Sequence, residues 1–238
     1  MNYLLFANPY SGGPILKELF RSRTSPKIVV TFFNNVDTWK RILLRFLKKG
    51  LTVEDRCRFL YKIKFYDYYS LHEERLKKII EKEQIDIAFI TTFSRIIPAS
   101  LIDLFPKGVY NLHPSLLPKH GGANPIFWVI YDNDEFTGTT CHKAIDQIDA
   151  GEIIYQNKYK VQNMTGKQLF YEYTKDCSQI IRKVLNEYED MITDCRVQNN
   201  IEYDPQNIPA LDELKILATD KESKRRVNKA LSLFNKSI

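Results

Sequence analysis

The chain has 238 residues, 44% of them hydrophobic and 27% charged. That is enough for one full domain with a short appendage, and too apolar for a disordered protein. The net charge of +6 leaves nucleic acid, a membrane surface and a phosphorylated small molecule as partners by sign alone. Because Lys and Arg interleave with apolar residues in segments such as 39–49 and 73–82, they read as solvated helix faces, with neither nucleic acid nor membrane as partner.

The first half alternates strand and helix. Residues 3–7 form a short apolar strand, after which Gly12 and Gly13 open a helix over 14–21 with Pro14 in its first turn. A β-branched and aromatic strand follows at 27–33, and Asp37 suits the N-cap of a helix to Leu47. A third strand at 62–66 precedes a helix over 71–83. The run IDIAFIT at 85–91 is nearly continuous in apolar residues, as a parallel strand covered on both faces should be. A helix at 98–105 and a strand at 109–112 complete an open, mostly parallel α/β sheet flanked by helices.

Two further strands, 137–145 and 153–161, are joined by a turn too short for a helical crossover, so an antiparallel hairpin is expected. A long helix over 165–186 follows, then a polar stretch of low periodicity at 192–208 and a terminal helix at 221–234. This places one domain at 1–186 and a small C-terminal extension at 187–238. The extension carries Ile208, Leu211, Leu214, Ile216 and Leu217, then Val227, Leu231, Leu233 and Phe234. Too small to bury these within itself, it must pack them on the main domain or on a second chain, and a homodimer is the expectation.

The N-terminus has no basic leader, and no apolar stretch approaches the ~20 residues of a membrane span, so a cytoplasmic chain is expected. Cys57, Cys141, Cys177 and Cys195 are scattered without a CxxC pair. Neither a disulfide framework nor a metal site is indicated.

In open parallel sheets the functional loops gather at the carboxyl ends of the strands. The segment at the end of the 109–112 strand reads Asn111-Leu-His113-Pro-Ser-Leu-Leu-Pro, with Gly121 and Gly122 soon after. Two residues apart on a strand, Asn111 and His113 point the same way. A second piece, Asp146-Gln-Ile-Asp149-Ala-Gly151, lies in the turn between the two later strands. If the fold brings the loops together, the carboxylate of Asp149 would raise the pKa of His113 and keep it protonated, beside an Asn amide able to donate to an oxyanion.

The run NLHPSLLP at 111–118, the DAG at 149–151 and a third block, Phe93-Ser94-Arg95-Ile96-Ile97, together resemble the signature of the 10-formyltetrahydrofolate-dependent formyltransferases. That family includes glycinamide ribonucleotide transformylase, methionyl-tRNA formyltransferase and the sugar N-formyltransferases. The resemblance runs over roughly residues 1–160. It implies a Rossmann-like domain, Asn111, His113 and Asp149 as the catalytic trio, and Phe93 to Ile97 with Ile145 and Asp146 around the folate cosubstrate. It also implies transfer of a formyl group to an amine.

The loop GANPIFW at 122–128 resembles the sugar branch. About 50 residues after the long helix are too few for the OB-type domain of the tRNA enzymes. A nucleotide-linked amino sugar, a dTDP-4-amino-4,6-dideoxyhexose first, is the expected acceptor, held by Asn8, Tyr10, Gly12, Gly122 and Asn124. Gly12 and Gly13 also fit a plain strand-to-helix turn, since the phosphate loop of the purine enzymes is not matched here. His142 reads as packing or support in a strand, His120 as a substrate contact or a solvated loop residue, and His72 as a helix-surface residue.

Overall fold

The computed structural model describes residues 1–32, 51–161, 163–199 and 220–235. The helix expected from Asp37 to Leu47 and the apolar stretch 208–218 lie outside these. The chain divides into two compact units, Met1–Leu112 with Cys177–Tyr188, and His113–Asp176 with Glu189–Ile238.

The described residues of the first unit include five parallel strands. They are β1 (Tyr3–Ala7), β2 (Ile28–Thr31), β3 (Lys64–Asp67), β4 (Ile87–Thr91) and β5 (Val109–His113), in the order β3-β2-β1-β4-β5. β5 ends on His113, the first residue of the second unit. Register pairs Leu4 with Ile28, Tyr3 with Ile87 and Ala88 with Val109. All five residues of β1 are buried, as a central parallel strand requires. β3, at the edge, is half-exposed.

α1 (Gly12–Arg21) buries Ile15, Leu16 and Leu19 on one face, each contributing about 1.5–3 kcal/mol of burial. It starts at a glycine because a Cβ on Gly12 would sit 2.7 Å from the Cβ of Ala7. α2 (Val53–Asp55) opens on a reciprocal cap between Thr52 and Asp55 and runs into a π-helical turn, Arg56–Tyr61. Neither is foreseen from the sequence pattern. α3 (Glu73–Glu83) has acidic residues in its first turn and Lys82 in its last, and ends on Gln84 in the left-handed conformation. His72, exposed, stands at its N-cap. The helix expected over 98–105 is shorter, α4 (Ala99–Ile102), because the chain turns away before Pro106.

The second unit holds α5 (Pro125–Tyr131), the antiparallel strands β6 (Phe136–Lys143) and β7 (Ile153–Lys160), and the terminal α7 (Lys221–Asn235). The long helix α6 (Gly166–Thr193) contributes to both units and begins on a Thr165–Gln168 capping box. β6 and β7 pair Phe136 with Lys160 and Cys141 with Tyr155, and the register shifts between Cys141 and His142. Such a bulge re-aims side chains.

α7 packs on α5 of the same chain. Phe127 is enclosed by Val227, Ala230 and Leu231, with Trp128, Tyr131 and Phe234 against them. The guanidinium of Arg226 lies 4.7 Å from the Tyr131 ring centroid. Packing within one chain therefore accounts for Val227, Leu231 and Phe234. Among the described residues, five parallel strands with helices in the first unit and an antiparallel pair with helices in the second make the architecture α/β and Rossmann-like, and no described helix is long and apolar enough to cross a membrane.

Candidate active site

Within the second unit the sequence-distant residues His113, Gly122, His142 and Asp149 meet. β5 delivers His113, the loop after it delivers Gly122, β6 delivers His142, and the β6–β7 turn delivers Asp149. The carboxylate of Asp149 is the hub. Its Oδ2 lies 3.3 Å from Nδ1 of His113 and accepts the Gly122 amide at 2.8 Å, while Oδ1 lies 3.3 Å from Nε2 of His142. All three side chains are buried.

The turn bearing Asp149 is pressed against β6. A Cβ on Gly151 would lie 1.9 Å from the carbonyl oxygen of Lys143, so only glycine fits. That same oxygen accepts from Nδ1 of His142 at 3.0 Å. Asp149 itself has φ +51°, a left-handed conformation that aspartate tolerates better than most residues.

The loop after β5 is laced to β6. Thr140 Oγ1 donates to the Ser115 carbonyl (2.6 Å) and accepts the Leu117 amide (3.1 Å), and Gln156 Nε2 donates to the Leu117 carbonyl (2.9 Å). Leu117–Pro118 is a cis peptide bond. Ser115 Oγ donates to the Lys119 carbonyl at 2.7 Å. Of the two readings of His120, the solvated one is corrected: its side chain is nearly buried, with Nε2 2.7 Å from Asp134 Oδ2.

His113 stands between two acceptors. Nε2 lies 2.9 Å from the carbonyl oxygen of His120, which can only accept, so that nitrogen carries a proton. Asp149 does raise the pKa of His113, but the expectation that this keeps the ring protonated is corrected here. Burial lowers the pKa, and the attraction of the Asp149 charge and the His120 carbonyl does not offset the loss of hydration. Its resting form near neutral pH is the uncharged imidazole. For Asp149, burial alone would raise the pKa. The interactions with His113 and His142 and the Gly122 amide outweigh it and hold the carboxyl well below the usual carboxylate range. A neutral, basic imidazole beside a fixed carboxylate can take up and return a proton. Both imidazoles turn their nitrogens onto the carboxylate, and among the described residues no group of three or more His, Cys, Asp or Glu is placed to hold a metal ion.

The remaining candidates are distributed by unit. Asn111 lies on β5 in the first unit. Also there, Phe93 packs on Phe6, Phe32 and Tyr68 at centroid distances of 5.3–5.6 Å. Arg95 lies over Phe32 (5.0 Å) and donates through Nε to the Tyr69 hydroxyl (2.7 Å). Ser94 and Ile96 are exposed and Ile97 is buried. Asn8 closes the turn before α1, its Oδ1 accepting the amides of Tyr10 (3.0 Å) and Ser11. Tyr10 is exposed, and Gly12 is explained by its approach to Ala7. In the second unit, Ile145 and Asp146 are exposed at the start of the Asp149 turn, and Asn124 (φ +56°) leads into α5.

Two residues that the sequence did not tie to Asp149 belong to this cluster, His142, read as packing or support, and Gln198, given no role. His142 reaches Asp149 because the bulge turns it inward, and only its proximity in sequence to the DAG block hints at this. Gln198, in the polar stretch after α6, donates from Nε2 to the carbonyls of Asp149 (2.8 Å) and Gly151 (2.7 Å). Nothing in its sequence neighbourhood signals it.

Residues 14–185 match the formyl transferase family. The chain is 28% identical over 152 residues to methionyl-tRNA formyltransferase of Agathobacter rectalis, which covers 63% of this chain and 46% of that protein. The chain thus spans less than half the length of the curated relatives it matches. Among solved structures, it resembles the N-formyltransferase of Helicobacter canadensis in complex with folinic acid and dTDP-3-aminofucose, with a TM-score of 0.63 and 22% identity, over 99% of this chain and 82% of that one. It also resembles phosphoribosylglycinamide formyltransferase of Streptococcus pneumoniae, with a TM-score of 0.58 and 16% identity, over 79% of this chain and 98% of that one. With the family match covering most of the chain and the Asp149 cluster built from its NLHPSLLP and DAG blocks, the chain belongs to the formyl transferase family.

Proposed function

We propose that the chain transfers the formyl group of 10-formyltetrahydrofolate to the amine of a nucleotide-linked amino sugar, a dTDP-4-amino-4,6-dideoxyhexose first among the acceptors, in the cytoplasm. The observation that carries the reading is the buried Asp149 carboxylate gripped by His113, His142 and the Gly122 amide. A neutral amine attacks the formyl carbon, and the carbonyl oxygen becomes an oxyanion. The side-chain amide of Asn111, two residues before His113 on β5, donates to it. The attacking nitrogen loses its proton to His113, directly or through water, with the Asp149 carboxylate stabilising the imidazolium. The C–N10 bond then breaks, N10 takes the proton, and tetrahydrofolate leaves.

The fold match over nearly the whole chain to a sugar enzyme, against 79% for the purine enzyme, supports the sugar acceptor. Asn8, Tyr10, Gly12, Gly122 and Asn124 are assigned to it, and Phe93 to Ile97 with Ile145 and Asp146 to the folate. A catalytic domain, 1–186, with an extension, 187–238, is part of this reading, and the family match over 14–185 is consistent with it. A homodimer is part of this reading, supported by the apolar side chains of the sequence at 208–217. One observation favours a second reading: the relatives by sequence are methionyl-tRNA formyltransferases, which makes a charged tRNA the competing acceptor.

The test is release of tetrahydrofolate from 10-formyltetrahydrofolate with dTDP- and GDP-amino sugars, glycinamide ribonucleotide and methionyl-tRNA. Turnover with an amino sugar alone is expected. Turnover only with tRNA overturns the sugar reading, and turnover with none overturns the activity.

A further inference from the structure

Resting on the assignment of Asp149 to the reaction, we propose that Gln198 is a positioning residue that holds the Asp149 turn in its working shape. The C-terminal extension would thereby complete the active site. Gln198 lies beyond the stretch that matches the family.

The turn holds itself poorly. Asp149 sits in the left-handed region, and Ala150 N–H reaches the Gln147 carbonyl only at 3.4 Å. Gln198 supplies what is missing. A primary amide carries two N–H bonds that diverge, and here each meets a carbonyl, at Asp149 and at Gly151. A flipped amide would set its oxygen against both carbonyls, so the orientation is fixed by chemistry. The other amide atom, Oε1, is buried with no hydrogen-bond partner among the described residues. A buried polar atom left unsatisfied is a cost that plain packing would avoid by placing an apolar residue there.

The segment carrying Gln198 is itself anchored. Arg196 exchanges backbone hydrogen bonds with Ile153 at 2.8 Å each, and its guanidinium donates to Gln156 Oε1 at 3.2 Å. Gln156 in turn donates to the Leu117 carbonyl and to Thr140 Oγ1. Residues 196–198 therefore fasten both arms of the site, the loop after β5 and the turn before β7. Without the Gln198 amide, the Asp149 and Gly151 carbonyls lose these two hydrogen bonds. The turn can then relax out of its left-handed conformation, and the carboxylate swings away from both histidines.

The experiment compares Gln198→Leu, near in size but without donors, and the milder Gln198→Asn, one methylene too short to span both carbonyls. Val197→Ala, at an exposed neighbour, serves as the control. With whichever amino-sugar acceptor supports wild-type turnover, kcat should fall by roughly tenfold or more in both Gln198 variants, while KM for 10-formyltetrahydrofolate stays within about twofold. The ¹⁵N imidazole signals of His113 and His142 should move toward their positions in Asp149→Asn, and Val197→Ala should change neither readout. Wild-type kcat in both Gln198 variants, or unmoved histidine signals, overturns the proposal. If the wild type turns over no acceptor, the functional reading fails, and the histidine signals alone decide the role of Gln198.

Discussion

Oδ2 of Asp149 accepts the Gly122 backbone amide at 2.8 Å while lying 3.3 Å from Nδ1 of His113, so one carboxylate oxygen serves both the glycine loop and the imidazole. Replacing either side chain should therefore disable the chemistry. His113→Ala and Asp149→Asn are each expected to lower turnover about 10²–10⁴-fold, with circular dichroism spectra unchanged. Near-normal steady-state rates in either variant would refute the assignment.

The same pair should make the protein acid-sensitive. With its pKa lowered by burial, folded His113 binds a proton later than the unfolded chain does. Stability is therefore full above the unfolded value of about 6.5 and is lost as pH falls through the folded one. Asp149, also depressed, adds a second loss below about 4. Asp176, raised by burial, opposes this in the window just above about 4. Urea melts between pH 5 and 8 should show stability declining toward pH 5, and His113→Asn, which cannot titrate, should flatten that limb. A wild-type profile flat over this range would contradict the buried, neutral histidine.

Gly151→Ala should damage the turn as a matter of space. Its Cβ would meet the Lys143 carbonyl at 1.9 Å, and the required shift is expected to cost about 1–3 kcal/mol and to displace Asp149. Thermal unfolding together with the formyl-transfer rate checks both effects. A variant as stable and as active as the wild type would show the contact to be soft.

The terminal helix offers a test of assembly. Phe127 is fully buried against α7, so Phe127→Ala should destabilise by about 3–5 kcal/mol. Light scattering on the full chain should return twice the mass of one chain. A monomer at micromolar concentration would end the homodimer proposal without touching the packing of α7 on α5.

Much of the fold was legible because strands buried on both faces leave no choice of pattern. β1 and β4, apolar nearly throughout, were placed within two residues, and a connection too short for a helical crossover marked the β6–β7 hairpin. The site was legible in outline for a different reason: His113 and Asp149 sit in blocks whose residue order is unusual enough to be recognised. Local pattern could not supply what arises between distant segments. The helix Pro125–Tyr131 draws its stability from α7, so its own seven residues carried no sufficient signal. The sign of the His113 shift depends on how completely the fold removes water from the ring, and composition says nothing of that. His142 needed a bulge to reach Asp149, and Gln198 needed a bridge between Arg196 and Ile153. The sequence by itself thus determined most of the strands and helices of the sheet and the blocks that mark the family. Only the tertiary structure decided the protonation of His113 and Asp149 and what supports them, because desolvation and hydrogen bonding across long sequence separations exist only once the chain has closed on itself.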